Sequence, residues 1–486
     1  MKVLYIAREP NVATLFVPIA TAFKKMYPHS EHVLIDPSRV FPKSRLEGTV
    51  SPAEHFLRHG FKAEILDFYD FDDLTSLDEK HKLYLFHMRL FEHRRPSAIV
   101  VPHEMGPSFF AVQAARLMEI PSCHVQHGIW GPMKYDGYYD LPEYVPKKTD
   151  QQHPSGSFLL RKQLQILSAE YDLIKQASAF LKQRLASMTE KKASQARKLK
   201  IPEELLPYRN QLIDPQDAYP IHADHMLVYG PYYKRQLREK RPDVDEDKIH
   251  VIGYLRGDTF YNKPLDSQET VYERYGLKMD GRLALYFYSP FQELPQYYQV
   301  QYHPNDALTD AIGMLKQMDN RMNVLVLLHP NLRFEHYRNE ITQLVRKNRF
   351  DRIVVDRAHD DHFSLFRLAS VVIGVKSGAL YEAMLAHVPV VAQTYVLSKI
   401  HDPQHIEGGA VAAVLSSRHL GVQIERVLTD NTFQERMYDN QEMVCRDVLG
   451  PFDGKCGERA AAVLANLIRK ADSFARPDKN IGERAP

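Results

Sequence analysis

The chain has 486 residues, with 63 Lys+Arg against 61 Asp+Glu, and a formal balance of +2. A hydrophobic share of 44% and a charged share of 26% are those of an ordinary globular chain, which excludes a disordered, collagen-like or disulfide-scaffold protein. The near-neutral balance supplies no overall field for a polyanion, so no nucleic-acid partner is expected. At about 150 residues per domain, the length predicts two or three domains with more than one core.

From the first residues the pattern is one of short β-branched runs alternating with helical stretches, the signature of parallel α/β layers. MKVLYIAREP opens on a strand, without the apolar core or small-residue cleavage site of a secretory leader. The first runs are Val3–Ala7, His32–Ile35, Lys62–Asp67, Ala98–Val101 and Ser122–Gln126, with amphipathic stretches at Ala13–Met26, Leu77–His93 and Phe109–Met118 between them. A second block runs through Leu283–Tyr288, Val324–Leu328, Arg352–Asp356, Val371–Val375 and Val388–Gln393. Two such blocks predict two doubly wound Rossmann-like domains facing one another, with ligands beyond the carboxyl ends of the strands.

Residues 150–215 read differently. Leu160, Leu164, Leu167, Tyr171, Ile174, Leu181, Leu185 and Met188 recur at alternating steps of four and three, with Ser178 at the missing step, which predicts a helical hairpin insertion with a packed seam. Ten Lys/Arg face three Asp/Glu between Arg161 and Lys200. This basic 160–200 face is either a solvated exterior or a contact for an anionic membrane or polymer, and the seam either packs within one chain or forms a homo-oligomer. The strand pattern resumes at Ala223–Gly230 and Lys248–Gly253, a linker is expected near Asp258–Asp266, and a helix follows the Gly450-Pro451 break. The predicted organisation is therefore 1–149 with 216–262 as one Rossmann-like domain, 150–215 as the insertion, 263–450 as a second such domain, and 451–486 as a terminal helix crossing the junction. The sparse, odd set Cys123, Cys445 and Cys456 predicts a reducing compartment, and no apolar run reaches the ~18 residues needed to span a bilayer. A cytoplasmic location is expected, with the basic hairpin as the route to the inner membrane face.

Three stretches carry chemistry. In Ser122-Cys-His-Val-Gln-His127-Gly128 a strand ends at a glycine that permits a tight exit, which places His127 on the carboxyl edge as a general base. The competing reading is a buried histidine satisfied at a strand end. The preceding strand ends in Val101-Pro-His-Glu104, so Glu104 is expected on the same edge, orienting the imidazole, acting as an acid/base itself, or only satisfying a helix N-terminus. In the second block, the buried run Val324–Leu328 stops at His329-Pro330-Asn331, where Pro330 ends the ladder and His329 can meet a phosphate or merely cap backbone. His303-Pro-Asn305 follows a Gln/Tyr-rich loop and reads as incidental. The third stretch is Val371-Val-Ile-Gly-Val-Lys376-Ser377-Gly378, where a strand runs into a helix. The free N–H groups of its first turn suit phosphate, Lys376 adds charge, and Glu382 one turn on could accept ribose hydroxyls. The alternative is an ordinary Ser377 N-cap. No P-loop or strand-associated GxGxxG occurs, and the Asp-x-Asp pairs at 70–72 and 243–245 lie in acidic loop sequence, so no metal site is expected.

Together these stretches resemble the GT-B superfamily of nucleotide-sugar enzymes, outside the insertion. Ala114–Gly128, Lys248–Gly253, His329-Pro-Asn331 and Ser377–Val390 are similar in order to non-hydrolysing UDP-N-acetylglucosamine 2-epimerases, but that family carries Glu-Ala-Gly where this chain has Gln126-His127-Gly128. The His-Gly and His-Pro pair resembles instead the CDP-glycerol glycerophosphotransferases and capsule polysaccharide transferases. That resemblance implies a metal-independent glycosyltransferase-like enzyme of cell-surface polysaccharide biosynthesis, with no cofactor beyond its nucleotide-activated sugar or polyol donor. A glycosyl or glycerophosphoryl-type group would pass to a glycan or lipid-linked acceptor. In that picture His127 is the base, assisted by Glu104, and His329 engages the donor phosphate, while Gly128, Pro330, Asn331, Lys376, Ser377, Gly378 and Glu382 line the substrate and nucleotide sites. The alternatives are an epimerase-like isomerase and a non-catalytic glycan- or partner-binding scaffold.

Overall fold

The computed structural model describes residues 1–7, 10–36, 51–65, 79–102, 107–127, 223–240, 242, 244–289, 291, 300–329, 334–357, 362–397, 405–406 and 408–475. The expected hairpin at 150–215, together with Glu104, Gly128, Pro330 and Asn331, lies outside the described residues.

The first block folds into β1 (Lys2–Ile6), β2 (Glu31–Asp36), β3 (Lys62–Ile65), β4 (Ala98–Val101), β5 (Ser122–Val125), β6 (His225–Val228) and β7 (Ile249–Val251). They form one sheet in the order β3-β2-β1-β4-β5-β6-β7, every pairing parallel. The second sheet takes β8 (Leu283–Tyr288), β9 (Asn323–Leu328), β10 (Ile353–Arg357), β11 (Ala369–Gly374), β12 (Val390–Ala392) and β13 (Ala412–Ala413), in the order β10-β9-β8-β11-β12-β13. β8 and β9 are buried at every position, as an apolar run with helices on both faces must be. Each sheet reverses its order once, between β1 and β4 and between β8 and β11, and a crevice opens at such a point. Two doubly wound domains are thus present.

What joins the two sheets positions the site. One apolar cluster runs from Met226, Val228 and Tyr229 of the first sheet through Tyr254 and Phe260 to Leu283, Leu285 and Leu325 of the second. Phe260 stacks on Phe363 with ring centroids 5.0 Å apart and planes 7° from parallel. The backbones also touch: a Cβ at Gly230 would lie 2.1 Å from the carbonyl oxygen of Asp447, and one at Gly450, where φ is +77°, would lie 2.3 Å from that of Tyr229. Only glycine permits both approaches. The stretch expected as linker is half helix, since Leu255–Asn262 is helical, and buried Asp258 accepts hydrogen bonds from the Cys456 and Gly457 amides at 2.9 and 2.7 Å. That carboxylate satisfies the start of the terminal helix Cys456–Ala475, whose Ala460, Ala461, Leu464 and Ile468 pack on Val12, Phe16 and Ile19 of the first helix.

A polar contact crosses the same junction. Glu382, in the helix Gly378–Leu385 after β11, is 2% exposed and accepts a hydrogen bond from the Tyr254 hydroxyl, while Arg256 lies 3.4 Å from the same oxygen. The Nδ1 of His362 stands 3.7 Å from the other oxygen, too far for a hydrogen bond. Burial alone would raise the carboxyl pKa, but Arg256, His362 and Tyr254 outweigh it and hold the group at about 2. His303, as an N-cap accepting from Asn305 N at 3.2 Å, starts the helix Pro304–Met318. No described helix is long and apolar enough to cross a membrane.

Two outcomes follow from the junction. Gly230→Ala should destabilise the chain by about 1–3 kcal/mol through overpacking, read as a lower urea midpoint at unchanged slope; an unaltered midpoint would mean the backbones part without cost. Because the folded state lowers the Glu382 pKa, its contribution is complete above the ordinary carboxylate value of about 4.3 and lost as pH falls toward about 2. The stability difference between wild type and Glu382→Gln, measured by urea unfolding, should therefore shrink across that window. A constant difference would remove charge from the contact.

Candidate functional site

The second sheet gathers its polar residues at the β8/β11 reversal. Tyr288 of β8 pairs with Leu328 of β9, and Phe287 pairs with Gly374 of β11. Past these last pairs, His329 leaves β9 and Lys376 leaves β11 on the same edge, on either side of the β8 exit. The His329 amide still bonds to the Tyr288 carbonyl at 3.2 Å, so the ladder runs one residue past the strand before the chain leaves the sheet. Tyr288 is itself fixed, its hydroxyl donating to Asn305 at 2.7 Å and Asn305 donating to Glu340 at 2.6 Å.

His329 combines two properties. Its side is exposed to solvent, yet desolvation by surrounding protein lowers its pKa. At neutral pH this imidazole is neutral and donates one N–H.

Beyond β11 the helix Gly378–Leu385 begins on Ser377, whose hydroxyl accepts from the Ala379 amide at 3.1 Å and whose carbonyl accepts from Leu380. The cap thus uses the second and third amides of the turn and not the first, that of Gly378. A side chain added at Gly378 would meet nothing within 4 Å, and the macrodipole at this helix start favours an anion. Lys376 is half-buried beside it. Behind it, burial and then the Lys376 charge hold His405 down at about 3, and its Nδ1 lies 3.1 Å from the Tyr381 hydroxyl. His405 did not emerge from the sequence, because it falls in no strand-end pattern.

On the first sheet the Gln126 amide bonds to the Leu227 carbonyl at 2.9 Å, carrying the ladder one residue past β5 and leaving half-buried His127 next on the carboxyl edge. Gln126 is fully buried and its side-chain oxygen accepts from the Tyr229 amide at 2.9 Å, tying the β5 exit to the β6 exit. Cys123 is buried in the sheet with its thiol pushed up by burial, no nucleophile at neutral pH. Among the described residues no three His, Cys, Asp or Glu side chains converge as metal ligands would.

The structure places Glu382 nearest to the first domain, under Tyr254 and Arg256. Direct contact between its carboxylate and a ribose would require one of those two to move. Neither Tyr254 nor Arg256 was singled out from the sequence, although both immediately follow the predicted Lys248–Gly253 strand; what marks them is a contact across more than a hundred residues of chain.

No family model matches the chain, and no curated protein matches it. Solved structures do. The UDP-GlcNAc 2-epimerase from Neisseria meningitidis bound to UDP-GlcNAc is similar with a TM-score of 0.57 at 13% identity, covering 97% of this chain and 100% of that one. A glycosyltransferase from Rickettsia africae gives 0.51 at 10% identity over 97% and 98% of the two chains. The wall teichoic acid polymerase TagF, soaked with CDPG, gives 0.51 at 10% identity over 97% and 89%. The similarity extends over both sheets and is one of architecture: the chain has the two-domain GT-B fold.

Proposed function

We propose that this chain is a transferase that takes a group from a nucleotide-activated donor, of the glycosyl or glycerophosphoryl kind, and passes it to a glycan or lipid-linked hydroxyl acceptor in the cytoplasm. What supports this reading is that His329 and the Gly378 helix start both follow strands flanking β8, on the carboxyl edge beside the β8/β11 reversal. UDP-GlcNAc, bound in the Neisseria meningitidis epimerase, and CDPG, soaked into the teichoic acid polymerase, support a nucleotide as the carrier of the anion favoured there. The donor diphosphate rests on the Gly378 amide and Lys376, with its ribose along the helix toward Glu382. His329 donates its N–H to the phosphate that leaves, and charge developing there meets fixed donors in a partly desolvated site. His127 takes the proton of the acceptor hydroxyl from the facing edge.

Transfer is favoured over epimerisation by the β5 exit. The resemblance places an epimerase's carboxylate at position 126, and here that position is a buried amide that accepts from the Tyr229 backbone and cannot serve as an acid or base at neutral pH. Conversion of a sugar nucleotide without acceptor, with solvent deuterium entering the sugar, would reverse that choice.

His127→Ala and His329→Ala should each lower turnover about 10²–10⁴-fold. Wild-type rates in both would overturn the mechanism. A thermal-shift series with CDP-, CMP-, UDP- and GDP-activated donors should single out one nucleotide class, since a ligand at about 100 times its Kd stabilises by about 2.7 kcal/mol. The negative phosphate favours protonated His329, whose free pKa is depressed, so donor affinity should rise as pH falls. His329→Gln should flatten that slope, and an equal slope in the variant would place the phosphate elsewhere.

A further inference from the structure

The proposed transfer uses the carboxyl edges of the sheets and leaves the amino end of the first sheet without a task. There the helix Pro10–Met26 returns from the carboxyl end of β1 to the amino end of β2, and Phe61 immediately precedes β3. A cavity of about 280 Å³ lies between them, lined by Thr21, Lys24, Lys25, His59, Gly60 and Phe61. All strands of this sheet run parallel, so the cavity is at the opposite end from His127. Buried Phe61 supplies an apolar wall, with the Lys24 ammonium 5.8 Å from its ring centroid. The ring of His59 is held through Nδ1, which donates to the His55 carbonyl at 2.9 Å. No acid lines the cavity, and the acids on the adjoining elements are paired elsewhere, Glu31 with Lys2 and Lys62 and Glu54 with Arg58. Among the described residues Lys24 and Lys25 form no ion pair.

We propose that this cavity is a second anion site, which takes the phosphomonoester head of a lipid or of a small metabolite. Lysines in the last turn of a helix also answer its macrodipole, which accounts for Lys24 and Lys25 alone. It does not account for a histidine from a different element lining the same cavity. A phosphomonoester brings close to two negative charges and three acceptor oxygens, where a carboxylate brings one charge and two oxygens, so it answers two ammonium groups at once. The volume falls below the roughly 300–1,000 Å³ of pockets that enclose a whole drug-sized ligand, which suits a phosphorylated head with the rest of the molecule outside. Exposed Met26 and Leu57, each within two residues of the lining, offer apolar contact to that remainder. The site shares no residue with the donor seat, so it stands or falls separately from the transferase reading.

Two arms separate the sources: titration calorimetry of the full chain with glycerol 3-phosphate, and flotation with phosphatidylcholine vesicles with and without phosphatidic acid. Wild type should bind the soluble phosphate or the phosphatidic acid vesicles, and Lys24→Gln combined with Lys25→Gln should weaken that binding at least about tenfold. Thr21→Met, which fills the cavity and leaves every charge in place, should weaken it by a similar factor. His329→Gln should leave it within about twofold. Wild-type affinity in Thr21→Met would reduce the lysines to a diffuse basic surface. Loss in His329→Gln with the lysine variant unaffected would assign the phosphate to the donor seat, and no binding in either arm would leave the lysines to the helix dipole. Each of these three results overturns the site. Should the double variant fail to fold, Lys25→Gln and Thr21→Met carry the test, unchanged affinity in both being the contrary result.

Discussion

A carboxylate taken almost wholly out of water remains ionised only where charge and hydroxyl groups are brought to it, and the two domains of this chain meet around one. Glu382 belongs to the second domain; the hydroxyl and guanidinium that hold it belong to the first. Its geometry therefore exists only while the sheets stand in one relation. The apolar cluster that passes from Met226 to Leu325 supplies the attraction, being non-directional, and the polar contact selects among the packings that such attraction would tolerate. Gly230 and Gly450 set how close the two backbones come.

From that junction the site follows. A parallel sheet delivers its chain exits to one edge, and a reversal of strand order leaves a crevice there. With the junction holding Tyr254 and Arg256 against the helix after β11, the exit of β7 is brought beside the β11 exit. The polar groups on the second edge act by position: a neutral histidine, a helix N-terminus and a lysine, each tied to a strand end whose register is fixed by its neighbours. Tyr288, Asn305 and Glu340 stiffen the central exit, and Gln393 does the same further along, accepting from Tyr286 and donating to the Ala307 carbonyl. Such satisfied buried amides hold loops that would otherwise drift.

Much of this was legible in the residues because it rests on local patterns. Val324–Leu328 could only be a doubly covered strand, and a proline two residues beyond it stops the ladder, so His329 had to stand at an edge. Ser377-Gly378 after an apolar run reads as a capped helix start, and the cap is present. Within the stretch expected as linker, the carboxylate of Asp258 serves amides some 200 residues away, and no local signal carries that. Glu382 was singled out from the sequence, but its partners Tyr254 and Arg256 were not, for the same reason.

The sequence by itself determined the two parallel sheets, the strands that build them, and the histidine and serine exits on their carboxyl edges, since burial periodicity, proline and capping act within a few residues. Only the tertiary structure decided that Tyr254 and Arg256 meet Glu382, that Gln126 is spent on the Tyr229 backbone, that His405 is buried beside Tyr381, and that a side chain at Gly378 would meet nothing within 4 Å. Each of these depends on the relative placement of segments far apart in the chain, which is set by the packing of whole faces and leaves no mark on the neighbouring residues.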